Sequence, residues 1–354
     1  MKILLYTDVH FSQYASIVRG RGEKYSVRLE NLIKGINWAE QLAKDKSCDA
    51  VFVLGDFFDK SEIVAEELTA LGEIKWFSLK HTFLVGNHDM SRSTPELSSS
   101  HLFNLKGNSQ VIDTPLSYKV DDGTTELSFL PYIVNPSDPI SHYLTDMDKT
   151  CKRRIIFSHN DIKGINYGAF ISKSGFEIED IEQNCNLFLN GHLHNQQKIT
   201  DKIVNIGSLS AHNFTNDSFT YSYGATILDT RTLEILFYEN PYSFNFYKFK
   251  VGSLNECKKK LENISKYKPN VVVTIECLDK DLQDIKGLLT SYDNIVESRV
   301  ILSIDSKNKV STTLLESKKD ELTKLDHIKT FKEYITNTLG NSDIIAEELG
   351  EISR

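Results

Sequence analysis

The 354-residue sequence has no apolar run approaching the roughly 18–20 residues of a membrane span. It opens directly on Ile3-Leu4-Leu5, with no basic segment and long apolar stretch leading to a cleavage site. A soluble, cytoplasmic protein with no membrane partner is expected. No CxxC pair occurs: Cys48, Cys151, Cys185, Cys257 and Cys277 are odd in number and scattered. That excludes a disulfide framework and a cysteine-ligated zinc site, and leaves small buried hydrophobes in a reducing compartment. An excess of positive charge is also lacking, the formal net charge being −8. A chain that held nucleic acid unaided would more often be basic. Either the substrate is no polymer, or the basic surface is local, or a partner supplies it; bound divalent ions would offset acidic ligands. Repeats and low-complexity segments are absent.

What is present is ordinary globular composition, 40% hydrophobic and 25% charged. The length exceeds what one core usually accommodates, so a large domain plus something smaller is expected. Ile3–Thr7, Asp49–Leu54 and His81–Val85 read as buried strands, separated by helical patterns over Val27–Leu42 and Ile63–Leu79. This rhythm predicts parallel strands covered by helices. Leu127–Pro131, Arg154–Phe157, Leu187–Leu189 and Ile203–Ile206 continue the pattern of apolar strand followed by polar loop. After Asn245 the texture changes. Strands at Phe246–Val251, Val271–Glu276 and Ile295–Ile304, with helices Leu254–Ile264 (capped by Ser253) and Leu282–Leu289, predict a small α/β domain. The expected domains are therefore 1–245, 246–308 and a polar tail, 309–354. The tail carries two short amphipathic helices, the first with Phe331, Tyr334, Ile335 and Leu339 on one face. They would dock on their own protein or serve as a recognition element for another.

Residues with chemistry gather where strands end: Asp8-Val9-His10, Gly55-Asp56, Gly86-Asn87-His88-Asp89, His159 and Gly191-His192-Leu193-His194. Each element alone is common; a lone His159, for example, is more often a hydrogen-bonded core histidine. All five in order, each at a strand end, describe one site assembled at one sheet edge. Two divalent ions roughly 3.5–4 Å apart can clamp a phosphate and deliver a metal-bound hydroxide in line with the leaving oxygen. They need an anion between them, and Asp56 is the expected bridge. Carboxylate, amide and imidazole ligands together suit manganese, iron or zinc better than magnesium or calcium.

This set, with Asp59 completing Gly55-Asp56-x-x-Asp59, resembles the calcineurin-like metallophosphoesterase superfamily over roughly the first 210 residues. The resemblance implies a sandwich of mixed β-sheets flanked by helices. It implies that Asp8, His10 and His194 hold one ion, Asn87, His159 and His192 the other, and Asp56 both. Manganese is the expected metal, with magnesium, iron and zinc as alternatives. By the same resemblance His88 acts at the leaving oxygen, paired with Asp89, and Asp59 orients a ligand or water.

The long helix between the first two motifs, the Ile206-Gly207-Ser208 run after His194 and the layout beyond 245 resemble the SbcD nuclease family. These are the meiotic-recombination nucleases that act with an SMC-like coiled-coil ATPase, and the layout matches phage-encoded as well as bacterial members. The resemblance implies a DNA exo- or endonuclease subunit of a recombination and repair complex. The α/β segment would then be a DNA-capping domain and the tail the ATPase-binding element. A homodimer is also implied, with Leu68, Leu71, Ile74, Leu102 and Phe103 as candidate surface or, equally, monomer core. Arg19, Arg21, Lys24 and Arg28 form a local basic loop that could touch DNA phosphates. Among histidines without motif support, only His212 is a candidate for the site's vicinity. The competing readings are a stand-alone phosphatase or small-molecule phosphodiesterase, and a scaffold that chiefly docks a partner.

Overall fold

A computed structural model describes residues 1–303, apart from 15–16, 148, 166–170 and 216–217. Expectations for the tail 309–354, and for the last residues of the 246–308 segment, lie outside the described residues. The unit Met1–Leu302 is built on two six-stranded sheets. Strands Lys2–Tyr6, Ala50–Leu54, Lys80–Leu84 and Ser109–Ile112 run parallel in the first, extended at one edge by antiparallel Gly224–Asp229 and Ile235–Glu239. In the second, Thr125–Leu130, Arg153–Ser158, Leu187–Asn190 and Ile203–Asn205 run parallel between antiparallel edges Leu116–Val120 and Gln197–Lys198.

The continuous apolar runs follow from burial on both faces. Ile3 and Leu5 point between the sheets with Phe52, Leu54, Phe129, Ile155, Phe157 and Leu189. Leu4, Tyr6, Val51 and Val53 point the other way, against Leu29, Leu32, Ile36 and Ala39 of the Val27–Asp45 helix. On the far side of the second sheet, Ile156 and Phe188 pack on Ile181 of the Ile178–Asn184 helix. The result is a sandwich in layers, helix, sheet, sheet, helix, as the fold expectation had it. Its middle is an aromatic contact: the Phe52 ring lies 5.3 Å from Phe129 and 5.2 Å from Phe157. Phe157→Ala would open a cavity there and cost about 3–5 kcal/mol.

One local expectation is corrected. The helix expected over Ile63–Leu79 covers only Ala65–Leu71 and stops at Gly72. Trp76 leaves the helical path to pack on Phe83 and Phe103, with ring centroids 6.0 and 5.6 Å away. The antiparallel pair Gly224–Asp229 and Ile235–Glu239 makes the first sheet mixed, in line with the resemblance. Leu71, Ile74 and Phe103 belong to the core, Leu102 packs against it, and Leu68 is exposed.

The segment after Asn240 forms a third, three-stranded parallel sheet: Asn245–Lys250, Val271–Cys277 and Ile295–Leu302, linked through helices Leu254–Tyr267 and Leu282–Leu289. Ser253 caps the first helix by accepting from the Glu256 amide. One face, with Tyr247, Val271, Val273 and Ile275, is covered by the helices through Leu261, Ile264, Ile285 and Leu289. The opposite face sets Phe246 and Val272 against Val18, Ala211 and Tyr223. No helix among the described residues is long and apolar enough to cross a membrane.

Candidate metal centre

The parallel strands of both sheets deliver their carboxyl ends to one edge, and the five motifs follow directly from those ends. The turns are sharp. Asp8, His10, Asp56 and His192 have φ of 49°, 47°, 48° and 70°. Non-glycine residues hold that left-handed conformation only where their surroundings over-determine it, and such strain clusters at functional sites. The Asp8 and His10 amides donate to the Gly55 and Asp56 carbonyls, stitching the first two motifs together. Gly86 is there for room: a Cβ would lie 2.2 Å from Asp56 Oδ1 and 2.4 Å from its amide nitrogen. Gly55 needs both room and its φ of 90°, since a Cβ would meet the His159 ring at 2.2 Å.

The ligand-type atoms converge in two overlapping groups. Asp8 Oδ1 lies 3.9 Å from His10 Nε2 and 3.8 Å from His194 Nε2, and the two nitrogens are 3.1 Å apart. Asn87 Oδ1 lies 3.3 Å from His159 Nε2 and 3.0 Å from His192 Nδ1. Asp56 Oδ2 stands between the groups, 3.1 Å from His159 Nε2 and 3.9 Å from His10 Nε2.

The donor set fits cations. His10 donates through Nδ1 to Asp59 Oδ1 at 3.1 Å, His159 through Nδ1 to the Leu54 carbonyl at 2.6 Å, and His192 through Nε2 to Asp161 Oδ1 at 3.3 Å. In the neutral rings these bonds fix the tautomers and leave the inward nitrogen as a lone pair. The His159 lone pair faces Asp56 Oδ2, acceptor against acceptor, which only a proton or a metal ion reconciles. Asp8 Oδ1 is buried with no hydrogen-bond partner among the described residues, whereas Oδ2 accepts from the His192 amide at 3.0 Å.

Protons take up the strain when no ion does. Burial pulls His159 down, but the charge and hydrogen bond of Asp56 outweigh it and push the imidazole up to about 9. Asp56 is held far below the carboxylate range; burial opposes this and His159 dominates. His10 is raised, because its bond to Asp59 and the charges of Asp56 and Asp8 outweigh burial. His194 falls to about 4 through burial and the neighbouring His10. Ions bound here would displace those protons.

His88 is exposed, with its amide donating to Asp56 Oδ1 at 2.8 Å and its Nδ1 to the Asp59 carbonyl at 3.0 Å. The expected pairing with Asp89 is corrected. The buried Asp89 carboxylate accepts from the Phe58 and Gly86 amides, both at 2.9 Å, and ties the second and third motifs together. Burial, helped by the charge of Asp56, pushes it up to about 7. Asp59 Oδ1 accepts from His10 Nδ1.

In the basic loop, Arg19 and Arg21 are exposed, and Lys24 pairs with Glu73. Arg28 is corrected: it is buried and donates to the His10 carbonyl and to His212. As the second residue of its helix it turns inward, beneath the first motif. Sequence reasoning missed Asp161, two residues beyond His159, and also missed the buried asparagines. Asn160 donates to the Leu130 and Pro131 carbonyls, and its own carbonyl accepts from Asn190. Asn205 donates to the carbonyls of Leu193 and Asn195. Asn190, ending its strand just before the Gly191-His192 loop, is the signal that could have pointed to its partner Asn160.

Two divalent ions held by these residues would polarise a phosphoryl oxygen and lower the pKa of a water. The chain's own residues supply the frame: Asp56 between the groups, the second-nitrogen hydrogen bonds fixing ring orientation, and His88 at the open rim. There the ring can give a proton to a departing oxygen.

Comparison with known proteins agrees with this geometry. Protein 078R of Invertebrate iridescent virus 3, named as a phosphoesterase, is 29% identical over 175 residues. That alignment covers 47% of this chain, which spans about half (49%) of the viral protein's length. A dimetal phosphatase from Danio rerio, LOC 393393, superposes with a TM-score of 0.40 at 14% identity, over 64% of this chain and 91% of that one. Residues 1–218 match the family model for calcineurin-like phosphoesterases, and the chain belongs to that family.

Proposed function

We propose that this phosphoesterase is the DNA nuclease subunit of an SbcCD-like recombination and repair complex, cutting phosphodiesters with two divalent ions, manganese foremost. The observation that supports the reading is the third sheet and its contact with the loop after the first motif. Val18 of that loop is buried against Phe246 and Val272, and its amide donates to Glu297 Oε2 at 2.7 Å. Arg19 and Arg21 are exposed on the same loop. A small phosphoester needs little surface beyond the ligand cluster; a polymer gains from a basic loop and a structured element next to it. In this reading 246–308 caps DNA, 309–354 binds the coiled-coil ATPase, and the active form is a homodimer.

The test is cleavage of single- and double-stranded DNA with Mn2+. Cleavage well above that of Asp56→Ala supports the proposal; cleavage no greater than the variant's removes it. The alternative is a stand-alone phosphatase or small-molecule phosphodiesterase. The net charge of −8 and the breadth of the viral relative's name favour it. Turnover of bis-p-nitrophenyl phosphate matching or exceeding that of DNA would support it.

A further inference from the structure

The first motif holds two left-handed residues, Asp8 and His10. One pair, the buried Arg28 and the half-buried His212, holds both of their carbonyls. Arg28 Nη2 donates to the His10 carbonyl at 3.3 Å and to His212 Nδ1 at 3.1 Å. His212 in turn donates from Nε2 to the Asp8 carbonyl at 2.7 Å. The His212 ring lies edge-on to His10 and His194, with centroids 4.8 and 5.0 Å away. His212 is close enough to join these two as a candidate ligand. Yet its Nε2 donates and its Nδ1 accepts, so the ring is fully engaged as a neutral imidazole with no lone pair to spare.

Arg28 makes no ion pair within 4 Å among the described residues, and its Nε is buried without a partner. A buried guanidinium without an adjacent carboxylate is costly. A stability role alone does not account for keeping one under the first motif. Its bonds to the His10 carbonyl and to His212 go to the backbone and ring that set where Asp8 and His10 point.

We infer that Arg28 and His212 form a positioning relay for the ion bound by Asp8, His10 and His194, with His212 a support and not a ligand. The relay holds two left-handed residues so that the Asp8 carboxylate and His10 imidazole meet one cation. This rests on the two-ion reading of the site but not on the identity of the phosphoester. Outer partners of this kind typically contribute about 10–100-fold to metal affinity or activity.

The experiment is a titration of the full-length protein with Mn2+, following free manganese by electron paramagnetic resonance, on wild type and on His212→Ala, His212→Gln, Arg28→Met and Arg28→Lys. Wild type should take up two ions per chain. His212→Ala and Arg28→Met should weaken one of the two by about tenfold or more and leave the other unchanged. His212→Gln keeps an N–H where Nε2 stood and should recover most of the loss, which a space-filling role alone would not require. Turnover of bis-p-nitrophenyl phosphate at saturating substrate should fall in parallel, with KM little changed. Wild-type manganese affinity in His212→Ala or Arg28→Met would overturn the relay, as would Gln performing no better than Ala. Should those two variants fail to fold, Arg28→Lys decides: it keeps the charge but not the forked geometry, so tenfold weaker binding supports the relay and wild-type binding overturns it. If wild type itself takes up no manganese, the two-ion site falls and the relay with it. If wild type and all variants take up two ions alike, only the relay falls.

Discussion

His159 Nε2 stands 3.1 Å from Asp56 Oδ2 while its Nδ1 donates to the Leu54 carbonyl at 2.6 Å. The ring is thus aimed at the shared carboxylate by the strand that carries that carboxylate. When no ion is bound the contact is an ion pair, and its titration sets how the metal-free protein answers to pH.

His159 has a folded-state pKa of about 9, above the unfolded value of roughly 6.5. Its contribution to stability is therefore complete below about 6.5 and is lost as pH rises through about 9. Asp56 is depressed, so its contribution is present above roughly 3.9 and is lost on acidification below that value. Urea unfolding in chelator should show lower stability at pH 9.5 than at pH 6.5, and Asp56→Asn should reduce that difference. In buffers of differing ionisation enthalpy, manganese binding at pH 7 should release protons. No proton release would contradict the His159 assignment.

His88 is exposed at the rim, anchored through Nδ1 and its amide and set edge-on to the His10 ring. His88→Ala should cut turnover of DNA by about 10²–10⁴-fold if it protonates the leaving oxygen. The loss should be much smaller on bis-p-nitrophenyl phosphate, whose phenolate leaves without a proton. Manganese content and unfolding temperature should stay at wild-type values. Equal losses on both substrates would count against the role.

Asp89 ties the Phe58 and Gly86 amides through its two oxygens. Asp89→Asn turns one acceptor into a donor facing an N–H, and should lower stability by about 1–3 kcal/mol. Urea unfolding measures this. The pH profile of the remaining activity should keep its shape; a displaced profile would restore a direct pairing with His88.

Gly86→Ala would place a Cβ against the Asp56 backbone and carboxylate. Overpacking of this kind costs about 1–3 kcal/mol, and here the strain falls on the carboxylate between the two groups. Manganese affinity should drop along with stability. A variant with wild-type metal affinity would show that Asp56 can move without consequence.

The ligand cluster was legible in the sequence because strand-end residues keep their order whatever the rest of the fold does. Apolar runs such as Ile3–Leu5 and Val51–Leu54 gave the two-sided strands for the same reason. Exposure was not legible. Arg28 looked like a member of a solvated basic loop, since sequence does not show which side of a helix start faces inward. The resemblance implies a pairing of Asp89 with His88, but the Asp89 oxygens find amides of two different loops. Trp76 sits in a stretch with helical spacing and leaves it for an aromatic cluster that only the tertiary fold creates. The antiparallel strands at 224–239 alternate weakly and contain Gly224, so they carried little signal.

The central claim is that Asp56 joins two ion sites on one sheet edge. Metal content per chain after equilibration with Mn2+, measured on wild type and on Asp56→Asn, tests it most directly. Two ions in the wild type and at most one in the variant, with at least about 100-fold loss of phosphodiester hydrolysis, is the predicted result. A single ion in the wild type, or two ions retained by an active Asp56→Asn, would contradict it.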